Sequence, residues 1–404
     1  MKLLNQFFLM SLLSLLLVSC GSKICKNTPP SSLFKQVSSV PHAHINNQYR
    51  EVYIMGDSLS DTGAFVGTLN SILGIVQQEF HELKWVKKIY FSPPFYKGAS
   101  FSDGPVAVEY VAGGLGLPMT AGWSFQMTPK LKQWIVQQKS KELSIPVEDI
   151  LRKERLRSTA YTVHDQIGTN YAVSNARASV GDALPDVLLF NQFQLKNQLN
   201  TIIRHHPDIG EDDLFIIMIG GNDIMAAAFS KDATGIINES ITEISNVLNI
   251  LAKRNIKHIV VGNVPDIGLI PVFVNTDKQL VATQLTQDFN QKLNNKIENF
   301  RKIYPEIDIR LFDMNNTLKN LLVDYKKNGK NISQACISDI ADHQNLITLL
   351  ELLLTGELRA TYNSPCSKLK ICNYLFFDYF HPSALPHKTA GDALYNLIVN
   401  PGKV

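Results

Sequence analysis

The sequence carries little net charge: 39 Lys and Arg against 36 Asp and Glu leave +3. With no long basic run beside it, so weak a bias excludes an electrostatic footprint for nucleic acid. The Lys and Arg residues between Lys130 and Arg157 are interleaved with Glu and apolar residues and read as a solvated helical face. Cysteine is scarce, five in all. Neither a CxxC pair nor a suitably spaced His accompanies it, so no metal site is expected. No Pro/Gly/Ser-rich linker and no repeat at solenoid periods interrupts Glu51 to Val404, which favours one enlarged domain over residues 51–404. What the chain does have is apolar material, 45% of residues against 19% charged, ample for a core.

Lys2 precedes an apolar run from Phe7 to Val18, too short for a bilayer span but suited to the core of an export signal. The run ends in Leu17-Val18-Ser19-Cys20, which resembles the bacterial lipobox. Residues 1–19 are therefore expected to be a lipoprotein-type signal peptide, and Cys20 the lipidated first residue of the mature chain. Gly21 follows, not the Asp associated with inner-membrane retention, so the expectation is an outer-membrane lipoprotein. Ordinary cleavage near Ser19 or Gly21 would instead give a secreted, unanchored protein. Residues 20–50 are rich in Pro, Ser, Asn and His without apolar periodicity and read as a flexible tether. In an exported, oxidising setting Cys25, Cys336, Cys366 and Cys372 allow three pairings. Cys366 and Cys372 enclose a short Lys-containing loop, and that bond is the one expected.

From Glu51 onward, short apolar runs alternate with helical patterns. Val52–Met55, Leu214–Ile219, His258–Val261 and Ile307–Phe312 read as buried strands. Ile237, Ile241, Ile244, Leu248 and Leu251 fall on one helical face, as do Leu285, Phe289, Leu293 and Ile297. Such alternation predicts an α/β fold with a central parallel sheet covered on both faces. Residues 69–167 read as an insertion without strong strand signal. Its aromatics, Trp85, Tyr90, Phe91, Phe95, Tyr96, Trp123 and Trp134, mostly pack the insertion itself, and some are candidates for lining an acyl-chain groove.

Three segments carry chemistry. Gly56-Asp57-Ser58-Leu59-Ser60-Asp61-Thr62-Gly63 follows the first strand directly, so Ser58 sits at a strand's carboxyl end, where open parallel sheets bind ligands. On its own a G-D-S turn is a common strand exit, and the lack of G-x-S-x-G argues against the usual α/β-hydrolase elbow. Gly220-Gly221-Asn222-Asp223 follows the strand Leu214–Ile219. An Asn amide there can donate to an oxyanion without titrating, although Gly, Asn and Asp also suit a plain strand exit. Asp378-Tyr379-Phe380-His381-Pro382 offers an imidazole with a carboxylate three residues before it, close enough for one loop to present both. His164, His205, His206 and His387 have no comparable context and read as surface or core residues.

In that order the three segments resemble blocks I, III and V of the GDSL or SGNH hydrolase family. Phe101-Ser102-Asp103-Gly104-Pro105-Val106-Ala107-Val108-Glu109-Tyr110 and Gly262-Asn263-Val264-Pro265-Asp266-Ile267-Gly268 are similar to segments of its bacterial phospholipase and glycerophospholipid:cholesterol acyltransferase branch. The resemblance implies a three-layer α/β/α, flavodoxin-like sandwich with helical insertions. It implies Ser58 as nucleophile, Asp378 and His381 as its activating pair, and Asn222 as an oxyanion donor beside the Ser58 N–H. Asn170-Tyr171-Ala172-Val173-Ser174-Asn175-Ala176 is similar to block II but has Ser174-Asn175 where the pattern has Gly-Gly. The third donor expected there is the backbone N–H of Asn175, which requires Asn175 to adopt a glycine-like geometry; Asn tolerates left-handed backbone better than most residues.

The function implied is hydrolysis of fatty-acyl esters of phospholipids or lysophospholipids at a membrane surface, with a sterol as an alternative acyl acceptor and no cofactor. A short-chain or carbohydrate esterase with the same triad, and a catalytically inactive surface or adhesion protein, are the competing readings.

Overall fold

The computed structural model describes residues 48–79, 88–126, 137, 164–183, 186–187, 189–339 and 355–400. The expected signal peptide 1–19, Cys20, Cys25, nearly all of the tether, and Trp85 and Trp134 of the insertion lie outside the described residues.

Strand β1 (Val52–Gly56) is followed by helix α1 (Ala64–Glu79), β2 (Tyr90–Phe91), α2 (Ala107–Leu115), β3 (Trp123–Phe125) and β4 (His164–Gln166). Then come α3 (Leu195–His205), β5 (Leu214–Met218), α4 (Gly221–Phe229), α5 (Ala233–Lys253), β6 (His258–Gly262), α6 (Gln279–Ile303), β7 (Asp308–Phe312) and α7 (Met314–Lys327). The last part holds β8 (Asn331–Ala335), β9 (Ile337–Asp339), β10 (Glu357–Leu358), β11 (Ala360–Tyr362), β12 (Tyr374–Phe376) and α8 (Ala384–Val399).

The expected α/β architecture is present. Strands β1, β5, β6 and β7 pair in parallel in the order β1-β5-β6-β7. Residues 169–173 run along the free edge of β1: the Ile54 N–H donates to the Thr169 carbonyl at 2.9 Å, and the N–H groups of Tyr171 and Val173 donate to Ile54 and Gly56 at 2.8 and 3.1 Å. With that segment included, the strands lie 2-1-3-4-5 by chain position. This is a doubly wound order whose switch point falls between β1 and β5, and ligands bind outside the carboxyl ends of the strands at such a point.

Both faces of the sheet are covered, which is why its strands read as continuous apolar runs and not as alternating ones. Tyr53, Met55, Phe215, Ile217, Ile259 and Val261 face a core shared with α3, α4, α5 and α6. Val52, Ile54, Leu214, Ile216 and Val260 face the opposite core, shared with α2 and α8. In α5 the five predicted apolar residues are all buried, and in α6 Phe289, Leu293 and Ile297 are, with Leu285 half-buried. Removing each such side chain from water contributes roughly 1.5–3 kcal/mol.

The cysteine pairing differs from the sequence expectation. The disulfide joins Cys336 to Cys366, with Cα atoms 5.4 Å apart, while Cys372 stands outside it in the short helical turn Ile371–Asn373. The reason lies in strand pairing. β9 and β11 are antiparallel, with Ile337 opposite Tyr362, and the Asn363 N–H reaches the Cys336 carbonyl at 2.8 Å. Cys336 and Cys366 therefore face each other across a hairpin that spans 30 residues of sequence. Closing a loop of that size stabilises by about 3–4 kcal/mol in the chain-entropy account. Cys336→Ser is accordingly expected to lower unfolding stability by that amount, and peptide mapping of the unreduced protein should recover the Cys336–Cys366 link; recovery of a Cys366–Cys372 peptide would refute it.

Candidate active site

A Cβ on Gly56 would lie 2.3 Å from the Met218 carbonyl oxygen, so β1 can stay paired with β5 to its last residue only with Gly there. Gln198 of α3 grips the same residue from the other side. Its side-chain carbonyl accepts the Gly56 N–H and its amide donates to the Gly56 carbonyl, both at 2.8 Å. The chain then turns through 57–60, with the Leu59 N–H on the Asp57 carboxylate at 3.1 Å and the Ser60 N–H on the Asp57 carbonyl at 3.0 Å. Ser58 is left half-buried at the switch point.

The structure brings the three distant candidates together. His381 Nε2 lies 2.7 Å from Ser58 Oγ across 323 residues of sequence. On the other side of the ring, His381 Nδ1 lies 2.7 Å from Asp378 Oδ2. Asp378 is 1% exposed, and its Oδ1 accepts the backbone N–H groups of Phe380 and His381 at 2.8 and 2.7 Å. The loop is closed on itself by the Phe377 N–H on the His381 carbonyl at 2.8 Å and by the Ser383 N–H on the Leu375 carbonyl at 2.9 Å. Phe101 stacks on the imidazole with centroids 4.9 Å apart. Asp103 accepts the Ala384 N–H at 2.8 Å and so anchors the start of α8 directly behind His381. The segment 101–105 thus holds the imidazole in place, a role that its sequence did not disclose.

Asn222 opens α4 immediately after β5. Gly220 precedes it at φ 125°, and a Cβ there would strike Phe289, so only Gly allows this exit from the strand. The Asn222 side-chain amide donates to the Ala176 carbonyl at 2.8 Å, which uses one of its two hydrogens. Asn175, the residue before Ala176, has φ 66°, the left-handed geometry that replacement of Gly by Asn required. Ser174 has its own reason to be there: its N–H and hydroxyl both donate to Asp61 Oδ2, at 2.7 and 2.8 Å. The same carboxylate accepts the N–H groups of Gly63 and Ala64 at 2.8 Å and of Phe65 at 3.2 Å, capping α1. Asp223 does likewise for the segment that follows, accepting Ala178 N–H at 3.0 Å and Ser179 N–H at 2.8 Å. An Asp just ahead of an apolar helical segment is a readable cap signal; the reach of Asp61 to Ser174 is not.

A cavity of about 950 Å³, its open mouth included, begins at Ser58, Asn222 and His381 and continues between α7 and α8. Its far wall is apolar, with Met314, Leu318 and Leu321 from α7 and Phe312, Phe376 and Phe380 around them. Asn175 is not among the lining residues, and Asp378 sits behind His381. Among the described residues, the aromatics of the insertion do not supply this wall either. Phe91 and Phe95 pack on Phe101 and Phe377 behind the imidazole, so among the described residues their part is to support the site and not to line its groove.

Burial pushes the Asp57 carboxyl up to about 7, opposed by the Leu59 N–H and the nearness of His381. A carboxyl raised in the folded state contributes stability that is full below its unfolded value and is lost as pH climbs through the folded one. Asp57→Asn is therefore expected to gain on the wild type between pH 4 and 7, reaching an advantage of roughly 1–4 kcal/mol above pH 7. Parallel melting curves of the two proteins across that range check it; a constant difference would mean that Asp57 ionises at no cost.

The family model described as GDSL-like Lipase/Acylhydrolase matches residues 52–394. A GDSL esterase/lipase of Arabidopsis thaliana is 23% identical over 198 residues, which is 43% of this chain and 46% of that protein. The chain thus spans about half the length of that relative.

Proposed function

The chain belongs to the GDSL-like lipase/acylhydrolase family, and from that premise we propose that it cleaves fatty-acyl esters of phospholipids or lysophospholipids with Ser58 as nucleophile. The hydrogen-bonded chain Asp378–His381–Ser58, opening on an apolar cavity, carries this reading. His381 Nε2 takes the Ser58 proton as Oγ attacks the ester carbonyl, and Asp378 fixes the tautomer and stabilises the imidazolium. The oxyanion is received by the Ser58 N–H, the Asn175 N–H and the second hydrogen of the Asn222 amide. His381 then passes its proton to the departing alcohol, leaving an acyl-Ser58 ester. A water, deprotonated by the same imidazole, hydrolyses that ester and restores the serine. A sterol hydroxyl in place of that water gives acyl transfer, which the likeness to the phospholipase/acyltransferase branch favours as a second reading.

Export through residues 1–19, a lipid anchor at Cys20 and a tether to residue 50 belong to the same proposal and rest on the sequence; no helix among the described residues is long and apolar enough to cross a membrane. Kinetics on esters of increasing acyl length, together with phospholipid cleavage with and without cholesterol, test the substrate class. The expected outcome is kcat/KM rising with chain length. A maximum at acetyl esters would favour the short-chain esterase, and failure to react with a fluorophosphonate would favour the inactive protein.

For Asn222 the expected effect is on the transition state. Asn222→Ala should lower kcat by about 10²–10³ with a smaller change in KM. The lost bond to Ala176 should cost about 1–3 kcal/mol of stability in addition. Both are measured on one purified variant, and an unchanged kcat would remove Asn222 from the oxyanion site.

A further inference from the structure

The cavity extends to both sides of Ser58. Asn222 and Met225 lie a turn apart on one face of α4, and Ile267 and Ile270, from the short turn packed against α4, join the same wall. These three apolar side chains pack on the core shared with α4, α5 and α6. The other arm runs along α7 and α8, where Leu318, Leu321 and Ala390 line it together with Met218 and Phe312. Met218 and Phe312 belong to the opposite core, under α2 and α8. The cavity thus crosses the carboxyl edge of the sheet from one face to the other, with Ser58, at the end of β1, between its two arms. Met225 and Ala390 are half-buried, so surface remains in each arm for a bound molecule to cover.

An ester held at Ser58 has its acyl half on one side of the carbonyl carbon and its alcohol half on the other. Two arms that diverge from Ser58 therefore receive one half each. No Lys or Arg lines the cavity among the described residues, and beyond Asn222 the α4 arm is walled by Met225, Ile267 and Ile270. A phosphate or a sugar ring placed there would give up its water without gaining a partner. A hydrocarbon chain instead gains up to roughly fourfold in binding for each methylene covered. We propose that the site takes esters that are apolar on both sides of the scissile bond, and that a phospholipid is accordingly attacked in its diacyl form, the cleaved chain in one arm and the retained chain in the other. This rests on the acyl-ester hydrolase reading of the site and chooses the phospholipid over the lysophospholipid within it. The phosphate and headgroup stay in water at the open mouth.

The experiment compares three simple esters in dilute solution: ethyl butyrate, and the isomers hexyl butyrate and ethyl octanoate, which lengthen the alcohol and the acyl half by the same number of carbons. With the wild type both isomers should exceed ethyl butyrate in kcat/KM by about 10- to 100-fold. A site with a single apolar arm would favour only one of them, and hexyl and ethyl butyrate reacting alike would overturn the inference. Met225→Trp and Ala390→Phe each fill one arm. One variant should erase the lead of hexyl butyrate and the other that of ethyl octanoate; both variants acting on the same isomer would overturn the two-arm assignment. Each lead is a ratio taken on one preparation, so it does not depend on the fraction that folds, and the wild-type comparison decides even where a variant does not fold. In mixed detergent micelles the wild type should cleave a diacyl phosphatidylcholine at least about 10-fold faster than the lysophosphatidylcholine with the same acyl chain, and an equal or reversed order would refute the diacyl preference. Failure of the wild type to hydrolyse any of these esters would instead bring down the acyl-ester reading on which the inference stands.

Discussion

Ser58→Ala is expected to lower kcat for ester hydrolysis by about 10⁶-fold, the scale seen when the nucleophile of a serine hydrolase is removed. The fold should not notice. Ser58 is half-buried in a turn whose backbone bonds are made by Asp57, Leu59 and Ser60, and its hydroxyl meets only His381 among the described residues. The melting temperature should therefore stay within a few degrees of the wild type while reaction with a fluorophosphonate disappears. Labelling that persists in Ser58→Ala would place the nucleophile elsewhere and sink the assignment.

The second large effect is expected for Asp378→Asn, about 10⁴-fold in kcat. Asp378 Oδ1 already accepts two backbone N–H groups, from Phe380 and His381, so the Asn side chain must keep its oxygen on that side. Its NH₂ then faces His381 Nδ1, which is forced to accept. The ring proton moves to Nε2, the nitrogen beside Ser58, and a protonated Nε2 cannot serve as the base. Ser58 remains in place, yet its reaction with the fluorophosphonate should slow in parallel with kcat. A variant that labels at the wild-type rate would mean that Asp378 merely closes the loop.

The central sheet was legible because buried parallel strands are uninterrupted apolar runs, and Val52, Leu214, His258 and Asp308 begin strands within one residue of where those runs begin. The turns at 56–63, 220–223 and 378–382 were legible because Gly, Asn, Asp and His follow those strands or close the chain in a recognisable series. The edge segment 169–173 showed no strand pattern, since its pairing with β1 is partial and it opens on the polar pair Thr169-Asn170. The supports of the site were hidden for a different reason. Gln198 acts on Gly56 across 142 residues and Asp103 on Ala384 across 281, and no local pattern records such partners. The disulfide went wrong in the same way: Cys372 is nearer to Cys366 in the chain, but the hairpin brings Cys336 nearer in space. The cavity wall on α7 reads in sequence as an ordinary amphipathic helix, because an apolar side chain facing a cavity has the same spacing as one facing a core.

The 323-residue separation of Ser58 from His381 also sets an order of events. The proposed nucleophile leaves the ribosome early, and its proposed base arrives only when β12 pairs with β8 and α8 settles on α2. Through that interval the serine is an ordinary hydroxyl, unable to attack an acyl bond. On the proposed reading, ester cleavage is thereby withheld from every unfinished or unfolded chain.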